Sequence, residues 1–244
     1  MIREGFAVVQ QQPGVSGSIQ MLIGSAGVLS RRGVLCGAVL AAGSGFLRAA
    51  DEKKPAVDGW QELFDGKSLR GWDGDAALFR VQDGAIVGGR LTEKIPHNYF
   101  LSSQQEYGDF ELQLEFRLLG ESTNAGIQLR SRRIPDHHEM IGYQADLGQN
   151  YWGALYDESR RNRILAAPDK AQLAKVLKLN DWNHYRIHCE GRRIQLWIND
   201  FQTVNYVEED AAIEQRGLLA LQIHGGGPGE AHYRKLRIRK LGAG

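Results

Sequence analysis

The chain has 244 residues, room for one large domain or two small ones. Apolar residues make up 42%, charged residues 24% and aromatics 9%, which excludes a mostly disordered chain. A formal net charge of +1 excludes a global basic field for nucleic acid, and two cysteines exclude a disulfide scaffold. Thirty glycines against six prolines, without a collagen-like period, point to many turns and so to many strands.

Residues 1–50 differ from the rest. Arg3, Arg31, Arg32 and Arg48 against Glu4 give +3, which leaves −2 of the chain's +1 for the remainder. An uncharged stretch of 14 residues runs from Val34 to Leu47. It is too short for a membrane-spanning helix, which takes about 20 residues. A basic segment, a short apolar stretch and small residues near Ala49-Ala50 fit an export signal, cleaved between about 45 and 51. Arg31-Arg32-Gly33-Val34-Leu35 resembles a twin-arginine signal. The expectation is an exported protein, periplasmic or extracellular, without stable membrane insertion. Residues 51–58 read as a charged linker and 59–241 as one domain. Cys189, alternating with Tyr185 and Ile187, reads as a buried strand residue.

From Gly59 onward the dominant period is two. Phe110, Leu112, Leu114, Phe116 and Leu118 alternate with Glu111, Gln113, Glu115 and Arg117. Similar alternation runs through 127–130, 143–147, 185–189, 194–198 and 219–224. Turns fall at Asp83-Gly84, Glu190-Gly191-Arg192, Asn199-Asp200 and the glycine-rich 225–229. Only 169–178 reads as helical, and it is short. Alternating strands without recurring helices predict an all-β chain, an antiparallel two-sheet sandwich or jelly roll.

Three strands carry unusual polar positions: Gln128 and Arg130, Gln144 and Asp146, Gln222 and His224. These side chains have defined hydrogen-bond geometry and lysine is absent from them. On one sheet they would line one concave floor. Trp152 and Tyr156 follow as aromatic plates suited to sugar rings, with Asp157, Glu158, Arg160 and Arg161 as a rim. A structural polar network closing the sandwich explains the same pattern equally well.

Gly59-Trp60-Gln61-Glu62-Leu63-Phe64-Asp65-Gly66-Lys67-Ser68-Leu69-Arg70-Gly71-Trp72 resembles the opening motif of the 3-keto-disaccharide hydrolase family, long catalogued as a domain of unknown function. Further matches are Gly108-Asp109-Phe110-Glu111-Leu112, Asn124-Ala125-Gly126-Ile127 with Arg130, Gly153-Ala154-Leu155-Tyr156, Trp182-Asn183, Leu221-Gln222-Ile223-His224-Gly225 and Tyr233-Arg234-Lys235-Leu236-Arg237-Ile238. The resemblance runs in order across 59–241. It implies a concanavalin-like jelly roll in an exported bacterial protein acting on glycosides oxidised to a ketone at sugar carbon 3. Many members carry Glu-x-Gln where this chain has Gln144-Ala145-Asp146, so no catalytic role on that strand carries over directly.

A 3-keto group acidifies the C2 hydrogen, and the resulting enolate expels the C1 substituent. Such a site needs a base, an oxyanion partner and an acid. His224 or Asp146 fits the base, Arg130 the oxyanion partner, and Glu158 or Asp157 the acid; Gln128, Gln144, Trp152, Tyr156, Asp157 and Gln222 would bind sugar. Asp146 with Glu158 would also serve a direct two-carboxylate glycosidase. The alternative is a carbohydrate-binding, lectin-like module without catalysis. No cofactor is expected, and whether a divalent cation braces a loop stays open. Asp136-His137-His138-Glu139 meets no known metal spacing and reads as a polar loop. Trp60, Trp72 and Trp182 read as packing residues and Trp197 as exposed. Arg132-Arg133 and Arg160-Arg161 read as solvated loop charges.

Overall fold

A computed structural model of the chain describes residues 59–242. The expected export signal and the linker lie outside these described residues.

The strands in chain order are β1 (Trp60–Glu62), β2 (Trp72–Asp73), β3 (Phe79–Gln82), β4 (Ala85–Arg90), β5 (Tyr99–Tyr107), β6 (Phe110–Leu119), β7 (Asn124–Arg133) and β8 (Met140–Gly148). They continue as β9 (Leu155–Glu158), β10 (Arg163–Ala166), β11 (Asn183–Glu190), β12 (Arg193–Ile198), β13 (Phe201–Val207), β14 (Gly217–Ile223) and β15 (Gly229–Lys240). One sheet has the order β13-β12-β11-β6-β15-β4-β3, with β1 also pairing with β15. The other has the order β10-β9-β8-β7-β14-β5-β2. The expected antiparallel sandwich is therefore present. Among the described residues the single short helix, α1 (Lys170–Leu173), falls where the sequence pattern placed one. Asp169 caps it by accepting from the N–H groups of Ala171 and Gln172.

The alternating residues meet between the sheets. Phe110, Leu112, Leu114 and Phe116 of β6 lie beside Cys189, Ile187, Tyr185 and Asn183 of β11 in register. Ile127, Leu129, Tyr143, Ala145, Leu147, Leu221 and Ile223 face them from the second sheet, all at most 1% exposed. Each large apolar side chain buried this way contributes about 1.5–3 kcal/mol. Cys189 is a free, buried thiol in this layer.

Two polar anchors tie the sheets together. Arg130 has a left-handed φ of 48°, and the β7–β8 register shifts between Leu129 and Arg132. The bulge turns Arg130 away from the face of Gln128. Its fully buried guanidinium donates to the carbonyls of Gly108 and Gly191, to Gln215 Oε1 and to Asp109 Oδ1, at 2.7–2.8 Å. Asp157 also points inward, opposite Tyr143, and is fully buried. It pairs with Arg160 and Arg161. Arg161 continues to Glu208 at 2.6 Å, and the Tyr143 hydroxyl donates to Glu208 at 2.7 Å. Arg160 and Arg161 are therefore members of a buried ion-pair network, not solvated loop charges.

Burial pushes the Glu208 carboxyl up, but the hydrogen bonds from Arg161, Tyr143 and the Asp210 N–H outweigh it and hold the carboxyl at about 2, against an ordinary 4.5. A carboxyl depressed in the folded state stabilises the fold above its unfolded value, and that stability is lost as pH falls toward the folded one. The shift corresponds to about 3 kcal/mol. Acid unfolding is expected to steepen between about pH 4.5 and 2. Glu208→Gln should flatten the melting-temperature profile in that window; an unchanged profile would remove Glu208 from the account.

Candidate active site

The outer face of the second sheet is not solvated as alternation alone predicts. Strands β7, β8 and β14 are buried over almost their whole length on both faces. Gln128 and Gln222 are 0% exposed, Gln144 2% and Asp146 3%. Cross-strand register brings the polar set together. Gln128, Gln144 and Tyr156 form one row, Gln222, Gly126 and Asp146 a second, and Glu158 stands opposite Gly142.

A directed hydrogen-bond chain runs beneath this floor. Ser131 Oγ donates to Gln128 Oε1 at 2.6 Å, Gln128 Nε2 to Gln144 Oε1 at 2.8 Å, and Gln144 Nε2 to Asp146 Oδ1 at 2.7 Å. Each amide fixes the orientation of the next. Gly126 is required here, because a Cβ would come within 2.6 Å of the Gln144 side chain. Asp146 Oδ2 and both amide atoms of Gln222 are left for another partner; the Gln222 atoms are buried with none among the described residues. A buried amide without partners is costly unless something fills it.

The two carboxyls differ in proton affinity. Burial pushes Asp146 well above the usual carboxylate range; the Gln144 bond opposes this and the charge of Glu158 adds to it. Glu158 is pushed up to about 7 by burial, then by the charges of Glu139 and Asp157, with the Ser159 N–H opposing. Among the described residues neither carboxyl has a cationic partner within ion-pair distance.

Loops wall the floor. Asn98 Nδ2 donates to Glu139 Oε1 and Asn98 Oδ1 accepts from the Gly225 N–H, both at 3.0 Å. Four rings stack beside this clamp, in the order Tyr99, His97, His138, His137, with centroids 4.2–4.3 Å apart. The stack turns the His137 and His138 rings face to face, so their nitrogens do not converge on one point. Among the described residues no group of three or more His, Cys, Asp or Glu side chains is arranged to hold a metal ion. A separate groove at the Arg130 anchor is lined by Glu106, Tyr107, Asp109, Arg216 and Lys240. Glu106 and Arg216 pair there, so that groove offers a partner little free charge.

The sequence-predicted residues therefore divide. Gln128, Gln144, Asp146, Tyr156, Glu158 and Gln222 share one face. Arg130 and Asp157 do not, because the bulge and the strand parity turn them inward. Trp152 is half-buried and packs on the core, 6.2 Å from the Phe116 ring, so it is not an open sugar plate. Tyr151 takes that place, edge-on to Tyr156 at 6.2 Å. His224 is exposed at the rim, with Nδ1 2.5 Å from the Gly225 carbonyl. Asn98, Glu139 and Tyr151 are additions from the structure. Glu139 lay in the Asp136–Glu139 cluster, but nothing in its spacing showed that it faces Glu158.

The model of the 3-keto-alpha-glucoside-1,2-lyase-like domain matches residues 59–239. The chain belongs to this family. The sandwich of this chain recurs in solved structures of low sequence identity, which establish the fold. A candidate glycosyl hydrolase from Parabacteroides distasonis aligns with a TM-score of 0.58 at 19% identity, covering 75% of this chain and 95% of that one. The carbohydrate-binding module CBM66 from Bacillus subtilis aligns at 0.55 and 13% identity, covering 70% and 96%. A Bacillus subtilis protein of unknown function with a galectin-like fold aligns at 0.54 and 9%, covering 70% and 90%. No curated protein sequence matches the chain. The family assignment gives the domain a carbohydrate-related function. Among the described residues no helix is long and apolar enough to cross a membrane.

Proposed function

We propose that this domain cleaves 3-keto-glycosides by removing the C2 proton and expelling the C1 substituent. The observation that carries the reading is the pair Asp146 and Glu158 on one face of the second sheet: among the described residues both lack cationic partners, and burial raises the proton affinity of both, Glu158 to about 7. A base works best when its proton affinity lies near the working pH. Glu158 fits that role and Asp146 fits the acid, whereas the sequence alone offered His224 or Asp146 as the base and Glu158 or Asp157 as the acid.

In the first half-reaction Glu158 takes the C2 proton and the electron pair enters the C2–C3 enolate. The free Gln222 Nε2 donates to the enolate oxygen. As the C3 carbonyl re-forms, the pair moves into a C1–C2 double bond and the C1–O bond breaks. The leaving oxygen takes the proton from Asp146. Water then adds to C1 and gives its proton to Asp146, while Glu158 returns a proton to C2. Both carboxyls end as they began, and the net change is hydrolysis. Tyr151 and Tyr156 supply ring faces for the sugar's C–H groups.

Turnover of a chromogenic 3-keto-glucoside beside its parent glucoside tests this. Release from the keto form alone is expected. Release from the parent would replace elimination by a two-carboxylate glycosidase mechanism. Saturable glycan binding without release from either would make the domain a binding module.

A further inference from the structure

The outer face of the first sheet carries a second, unrelated pattern. Three of the chain's five tryptophans stand there, each beneath arginine side chains. The Arg186 guanidinium lies 3.5 Å from the Trp197 ring centroid. Arg117 and Arg234 lie 4.9 and 3.8 Å from Trp182, and Arg237 and Arg239 lie 4.8 and 5.0 Å from Trp60. Trp197, Arg186, Gln113 and Arg237 stand opposite one another on β12, β11, β6 and β15. At about 4.8 Å between strands this row is roughly 14 Å long.

The carboxylates of the row's flanks are already matched. Glu111 pairs with Arg239, and Glu115 with Arg234 and Lys235. Among the described residues Arg117, Arg186 and Arg237 are in no ion pair; Arg237 donates only to the Gln113 amide. The buried Arg117 Nε has no hydrogen-bond partner among the described residues, while its Nη2 lies 3.4 Å from His232 Nδ1. Arginines held over indole rings have given up side-chain freedom and part of their water. They present planar forks that match carboxylate or sulfate oxygens, at little further ordering cost.

From this geometry we infer that the Trp–Arg row binds an acidic polysaccharide, one bearing uronate carboxylates or sulfates, on the sheet opposite the catalytic floor. Charge density selects this occupant. Duplex DNA carries one charge per about 1.7 Å of axis, a density that the few unpaired arginines spread over this face do not match. A glycan spaces its charges by whole sugar rings, so that separate anions can meet arginines held over separate indoles. An anionic membrane would call for apolar side chains free to insert beside the arginines, whereas the indoles of this face are capped by guanidiniums.

Titration calorimetry on the full chain with polygalacturonate, dextran sulfate and neutral dextran tests the inference. Saturable binding to at least one acidic polymer is expected, weakening as salt is added; which one binds distinguishes carboxylate from sulfate. Neutral dextran should not bind. The double variant Arg117→Gln, Arg186→Gln should lose at least tenfold in affinity, with unchanged melting temperature and unchanged keto-glucoside turnover. Should that variant fold poorly, the half-exposed Gln113→Glu places a carboxylate in the middle of the row, and the same loss is expected. Binding to neither acidic polymer, equal binding to neutral dextran, affinity unmoved by the variants, or preference for duplex DNA or anionic vesicles would each overturn it.

Discussion

Glu158→Gln is expected to lower turnover of a 3-keto-glucoside by about 10²- to 10⁴-fold, the usual worth of a positioned base. The amide keeps the shape of the side chain, so the fold should survive and substrate binding should change little. The wild-type rate should rise as Glu158 loses its proton through about pH 7. In the proposed mechanism it should fall again once Asp146, whose proton burial holds more tightly than usual, gives that proton up. In Glu158→Gln the acid limb should vanish. Asp146→Asn makes the complementary test. The amide donates a hydrogen bond but has no proton to give a leaving oxygen, so the alkaline limb should disappear. Stability should move the other way. A carboxyl raised in the folded state contributes stability below its unfolded value and loses it as pH rises toward the folded one. Asp146→Asn should therefore melt higher than wild type at neutral pH, the gap closing below about pH 3.8. Full turnover in Glu158→Gln would dismiss it as the base.

Arg130→Ala is expected to cost about 3–5 kcal/mol of stability, the range for breaking a buried, fully hydrogen-bonded ion pair. For a domain of this size that lowers the melting temperature by roughly 6–20 °C. The reason is geometric. One guanidinium holds the Gly108 and Gly191 carbonyls, Gln215 and Asp109 at once, tying the β5–β6 and β11–β12 turns to the bulge of β7. Its removal leaves buried acceptors without a donor. Arg130→Lys should restore little, because an ammonium cannot reach four acceptors in one plane. The measurement is calorimetric melting beside turnover at a temperature where the variant remains folded. A large loss of turnover with an unchanged melting temperature would return Arg130 to the oxyanion role that its place in the sequence suggested.

These two residues show where strand parity serves and where it fails. Gln144 and Asp146 alternate with Tyr143, Ala145 and Leu147 on an unbroken strand, and the structure puts them on the face that alternation assigns. Gln128 follows the same rule. Arg130, two residues on, does not, because a bulge inserts one residue and exchanges the two faces from there onward. Asp157 was legible in principle: it alternates with Tyr156 and shares the inward parity of Leu155. A lone inward carboxylate is unfavourable until Arg160 and Arg161 are seen to fold back on it, and that return is a tertiary event.

The all-β sandwich, its core and its family were decided by the sequence itself. Period-two burial is a local property that each strand carries independently of its neighbours, and the ordered motifs from Gly59 to Leu241 are read in one dimension. What only the tertiary structure decided is which polar groups meet. Register sets Gln222 beside Gly126 and Asp146, although β14 lies far in sequence from the consecutive strands β7 and β8. The loops around Asn98, Glu139 and Gly225 then bury that face. Burial and neighbouring charge raise the proton affinities of Asp146 and Glu158, and both causes depend on the three-dimensional surroundings of a residue rather than on its type.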